Sequence, residues 1–169
     1  MPSFKETLEA IKNDISKGEK HFNVVCEAML GENDGMKTKI TLGGSKHVQI
    51  IDAPPGLDGN DEGPSPILNI LGSIGACIVA VTRYWAKIME IPITELKVNS
   101  RGHINLGALF GADDSLLAGY DEIEPIVTIR SPASKDKVEE MMEKVWAHCP
   151  VVTNFNMDSK MQWKVKIKE

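Results

Sequence analysis

The chain is 169 residues long, 42% hydrophobic and 25% charged, with a formal net charge of −5. That is the composition of one soluble globular domain, which at this length buries roughly 70% of the surface its unfolded chain exposes. The acidic balance gives no general attraction to nucleic acid or to an anionic membrane. Cys26, Cys77 and Cys149 are the cysteines, an odd count with no CxxC, which argues against a disulfide scaffold and against a structural zinc site.

The opening residues, Met1-Pro-Ser-Phe-Lys-Glu6, lack the apolar run of a secretory leader, and this predicts a cytoplasmic protein. Phe4, Leu8, Ile11 and Ile15 recur at helical spacing, so residues 3–17 read as an amphipathic helix stopped by Gly18. His21–Leu30, Met36–Leu42 and His47–Ile51 follow as strands separated by Gly-rich turns, a three-stranded antiparallel meander. Asp52–Pro64 is too rich in Pro, Gly and Asp for anything but loop.

Ser65 before Pro66 marks a helix start, because the serine oxygen can accept from an early N–H and proline needs none of its own. The helix runs on until Pro92 forbids continuation. Ile67–Val81 carries no charge, and its only polar side chains are Asn69, Ser73 and Cys77. A helix apolar all round lies inside a protein or a membrane. This apolar stretch is shorter than the ~18 residues a bilayer span needs, and Arg83 and Lys87 follow it. The prediction is therefore a long central helix buried in the protein, with one thiol at its middle.

Glu95–Leu106 reads as a strand, with a short helical turn over Ala108–Ala118. Tyr120–Arg130 is a further strand, kinked or at an edge because of Pro125. Ser134 caps an amphipathic helix through His148 whose inner face is Val138, Met141, Met142 and Val145, and Cys149-Pro150 ends or kinks it. Met161–Ile167 alternates apolar and basic residues and reads as a closing strand. The fold class is α+β, with residues 1–20 as an N-terminal helix and 21–169 as the main domain.

Two helices thus each carry a cysteine. Alone, Cys77 reads more readily as a small buried hydrophobe than as a nucleophile, and Cys26 receives no role. Several segments together resemble a known family. Gly63-Pro-Ser-Pro66, the helix ending Gly-Ala-Cys77, and His148-Cys-Pro-Val151 resemble the OsmC/Ohr family, the osmotically inducible and organic hydroperoxide resistance proteins. Asp52-Ala-Pro-Pro55 and Gly102-His-Ile-Asn-Leu-Gly107 are similar to its OsmC-like branch, and the resemblance covers about residues 21–168.

The resemblance implies an intertwined homodimer with each active site shared between subunits. It implies a thiol peroxidase acting on a small organic peroxide, with Cys77 attacking and Cys149 forming a disulfide with the oxidised Cys77. A dithiol reductant then restores the pair, with no cofactor or metal. Only a thiolate attacks an O–O bond fast enough, so the nucleophile needs a depressed pKa, whereas burial alone raises it. The helix dipole fades within the first turn, and Cys77 stands about three turns in.

Family members with this activity place an arginine from the N-terminal hairpin beside the thiolate, held by a glutamate just after the helix-starting proline. Here those two helix positions are Ile67 and Leu68, and Gly31–Leu42 holds Lys37 and Lys39 but no arginine. Lysine lacks the bidentate fork and is not an equivalent replacement. Two alternatives therefore stay open. One is a non-peroxidatic OsmC-like binding protein with an apolar pocket at the dimer interface. The other is a protein whose thiols merely pack or bind a soft metal, with His148 and Cys149 as a ligand pair that is disfavoured because adjacent residues rarely face one ion.

Overall fold

The computed structural model describes residues 2–43 and 46–156. They form two compact units that divide between Pro66 and Ile67. The first begins with α1 (Phe4–Asn13), opened by a reciprocal cap. The Glu6 N–H donates to the Ser3 hydroxyl at 3.3 Å, and the Ser3 N–H donates to the Glu6 carboxylate at 2.7 Å. α1 is shorter than its periodicity suggests because Asp14 takes an extended conformation and its side chain accepts from Ser16 N–H, starting a separate 3-10 turn over Ile15–Gly18. No α1 residue is buried.

The meander follows as predicted in order, with shorter strands: β1 (Val24–Ala28), β2 (Thr38–Leu42) and β3 (Val48–Ile51), antiparallel with β2 central. Cys26 lies on β1 opposite Ile40 and is exposed. The loop after β3 is organised by Asp52, which is 1% exposed. Its carboxylate accepts from the N–H groups of Ala53 at 2.8 Å, Asn60 at 2.9 Å and Glu62 at 3.2 Å. Gly59 permits this coil, since a Cβ there would collide with the Ala53 carbonyl.

The second unit is built on α2 (Pro66–Ile88). Its end is marked by Glu90 in the left-handed region (φ 54°), which lets the Ile91 N–H reach back to the Ala86 carbonyl at 2.9 Å before Pro92. β4 (Glu95–His103) and β5 (Glu122–Arg130) form an antiparallel pair, with α3 (Leu106–Leu109) between them. Pro125 lies opposite Ser100 in this two-stranded sheet. α4 (Lys135–His148) and α5 (Pro150–Asn156) complete the described chain. Ser134 occupies the cap position of α4, but its side chain makes no capping bond; its carbonyl accepts from Val138 N–H. The predicted strand Met161–Ile167 lies outside the described residues.

Inward residues of the sheet alternate strictly along β5 (Ile123, Pro125, Val127, Ile129), while the outer face carries the pairs Arg130–Glu95 at 3.2 Å and Arg101–Glu124 at 3.9 Å. The core is one cluster: Ile74, Ile78, Val81, Ala86 and Ile91 against Met141, Val145, Cys149 and Val152. Thr82 is buried within it because its hydroxyl donates to the Ile78 carbonyl at 2.7 Å.

α2 departs from all-round burial in one respect. Within a single chain only the face Ile74, Ile78, Val81, Thr82 and Ala86 is buried, while Leu68, Ile70, Tyr84 and Ile88 are exposed. One layer of α4, α5 and sheet covers one side of a cylinder, and an all-apolar helix needs cover on the other. By length and composition α2 is also sufficient to cross a bilayer.

Candidate functional site

The core brings Cys77 and Cys149 together. Cys77 sits half-buried on α2 and packs against the cluster that contains Cys149. Cys149 is 0% exposed and stands between two helices in an extended conformation (φ −81°, ψ 112°). The break is a consequence of Pro150, which can begin a helix but cannot continue one. On the far side, the Cys149 carbonyl accepts from both the N–H and the hydroxyl of Thr153 at 2.9 Å.

Three influences set the Cys77 thiol. Burial pushes its pKa up, the backbone N–H of Val151 donates to the sulfur and pulls it down, and the Cys149 side chain raises it by hydrogen bonding and charge. The net direction is upward. Val151 is free to donate because N–H groups in the first helical turn have no intrahelical partner. The sequence reading missed this donor, although a Cys-Pro step followed by a helix start would have pointed to it.

Among the described residues of the second unit, no cation acts on Cys77. Lys37, one of the two hairpin lysines, lies 3.1 Å from Asp34 and 3.2 Å from Glu62. Those carboxylates, Asp34 first, raise its pKa. Arg101 and Arg130 are committed to the outer face of the sheet. Among the described residues no cluster of His, Cys, Asp and Glu has the spacing to hold a metal ion.

Two further contacts tie α2 to its neighbours. The Trp85 ring on α2 meets the His148 ring at 5.3 Å between centroids, tilted by 32°. Tyr120 donates its hydroxyl to the Ile67 carbonyl at 2.8 Å, fixing the first turn of α2. Its ring lies where a Cβ on Gly102 would stand, so glycine is required there. Ile74, Ile123, Pro125, Trp146, Val152 and Phe155 line a small, open apolar cleft.

A half-buried thiol touching a second, fully shielded thiol is an arrangement that can trap an oxidised sulfur as a disulfide before further oxidation. The comparisons with known proteins agree with the fold that positions it. Residues 59–164 match the OsmC-like protein family, and the chain belongs to that family.

Among solved structures, an OsmC-like protein from Mycoplasma pneumoniae is similar over 82% of this chain and 89% of its own, at 21% identity and a TM-score of 0.66. An organic hydroperoxide resistance protein from Elizabethkingia anophelis, with thiocyanate bound, covers 83% and 91% at 15% identity and a TM-score of 0.57. An organic hydroperoxide resistance protein OsmC from Legionella pneumophila covers 81% and 91% at 13% identity and a TM-score of 0.55. These likenesses establish the OsmC/Ohr fold. No curated protein sequence matches the chain.

Proposed function

We propose that the protein is a thiol-dependent peroxidase that reduces organic hydroperoxides in oxidative-stress defence, acting as a cytoplasmic homodimer through Cys77 and Cys149. The Cys77 thiolate attacks one oxygen of ROOH, the O–O bond breaks, and the alkoxide leaves as ROH on taking a proton. Cys77 is then a sulfenic acid. The Cys149 sulfur attacks it, an S–S bond forms, and the hydroxyl departs as water with the Cys149 proton. An external dithiol supplies two electrons and two protons to regenerate both thiols.

The observation that carries this reading is the contact between Cys77 and Cys149 in an apolar surround. The names of the Elizabethkingia and Legionella proteins support the substrate class. The exposed apolar residues Leu68, Ile70, Tyr84 and Ile88 on α2 support a second copy as its cover.

One observation favours a second reading, a non-peroxidatic binding protein. Burial holds the Cys77 thiol up, and no cation among the described residues of its own unit offsets it. The discriminating experiment is stopped-flow loss of free thiol with cumene hydroperoxide. Oxidation much faster than that of a free thiol, abolished in Cys77→Ser, supports the peroxidase. Oxidation at the rate of a free thiol supports the binding protein.

A further inference from the structure

We infer that Trp85 and His148 are positioning residues whose ring contact clamps the junction of α4 and α5 onto α2, setting how readily Cys149 bonds to Cys77. The role rests on the disulfide chemistry proposed above. The rings meet at 5.3 Å and 32°, within the separation at which aromatic pairs attract. Trp85 lies eight residues beyond Cys77 on α2, a little over two helical turns along and roughly 80° around the axis. His148 directly precedes Cys149, where the backbone leaves helical geometry.

A non-helical link has no ladder of backbone bonds to hold it, so its neighbours must. On the α5 side Thr153 grips the Cys149 carbonyl twice at 2.9 Å. On the α4 side the neighbouring contact is His148 on Trp85. His148 is exposed, so its ring adds little to the buried core. What the contact does is fix the last turn of α4 against the helix that carries Cys77. Cys77 itself stays on α2, so its first reaction with an oxidant does not depend on the clamp.

The test is thiol–disulfide exchange of the full chain with glutathione, in which protein dithiol and glutathione disulfide give the Cys77–Cys149 disulfide and two glutathione thiols. Alkylation and peptide mass spectrometry read the equilibrium constant. An aromatic contact of ordinary strength corresponds to about a three- to tenfold effect. His148→Leu is expected to lower the constant by that factor. His148→Phe, which restores a ring, returns it to within about twofold. Trp85→Leu lowers it equally, and the double variant His148→Leu/Trp85→Leu falls no further than either single one.

A constant unchanged in His148→Leu, an equal loss in His148→Phe, or additive losses in the double variant would overturn the inference, as would failure of the wild-type chain to form this disulfide. The assay uses no peroxide. Slow oxidation by cumene hydroperoxide, with the glutathione constants still ranked as expected, would sink the peroxidase reading and leave the clamp standing.

Discussion

Burial and contact with the Cys149 thiol hold the thiol of Cys77 above its ordinary range, against the pull of the Val151 N–H. Removing Cys149 takes away an upward influence and leaves the other two. The pH midpoint for alkylation of Cys77 by iodoacetamide is therefore expected to be lower in Cys149→Ala than in wild type. An unchanged or higher midpoint would mean the two sulfurs do not interact.

The same shift has a thermodynamic consequence. Because the folded pKa lies above the unfolded one, the folded chain keeps a proton that the unfolded chain releases above about pH 8.5. The contribution is fully present below that pH and is lost as pH rises through the folded value. Wild-type Tm is expected to fall more steeply than that of Cys77→Ala above about pH 8.5, and calorimetry across pH 7 to 10 reads the difference.

Closing the Cys77–Cys149 bond ties a loop of about 72 residues, worth on the order of 4 kcal/mol in the chain-entropy description. For a domain of this size that corresponds to a rise in Tm on the order of 10 °C. Calorimetry of diamide-oxidised and reduced protein checks this. A fall in Tm on oxidation would show that the native separation strains the bond.

Ile78 is fully buried between α2 and α4, beside Met141 and Val145. Ile78→Ala leaves a cavity that neighbouring helices only partly fill, and the expected cost is about 2–5 kcal/mol. Urea denaturation measures it. A loss under about 1 kcal/mol would mean this face is not the core.

Asp52 makes a different prediction. Burial pushes its carboxyl up, but the N–H groups of Glu62, Asn60 and Ala53 and the charge of Lys37 bring it below the ordinary carboxylate range. Its stabilising contribution is present above the unfolded pKa and lost as pH falls through the folded one. Asp52→Asn is expected to lower Tm at pH 7 and to flatten the dependence of Tm on pH below about 4. Equal Tm at pH 7 would show that the loop does not need the charge.

Much of this architecture is legible from sequence because the signals are local. Pro66 and Pro92 bracket α2, the Gly-rich turns separate the three strands of the meander, and the alternation of β5 survives Pro125. The apolar period runs past the end of α1 because Ile15 continues it, while Asp14 prefers its own bond to the Ser16 N–H. The one-sided burial of α2 was illegible for another reason. Apolarity reports that a face is to be covered, not which chain covers it. The partners of Lys37 and the contact of Tyr120 with Ile67 depend on distant pairings that no short-range pattern encodes.

The most direct measurement is peptide mass spectrometry after one equivalent of cumene hydroperoxide. The peptides of Cys77 and Cys149 are expected to be joined within one chain with loss of two hydrogens, and Cys149→Ser to carry one added oxygen on Cys77. Unmodified Cys77, or oxidation falling mainly on the exposed Cys26, would contradict the account.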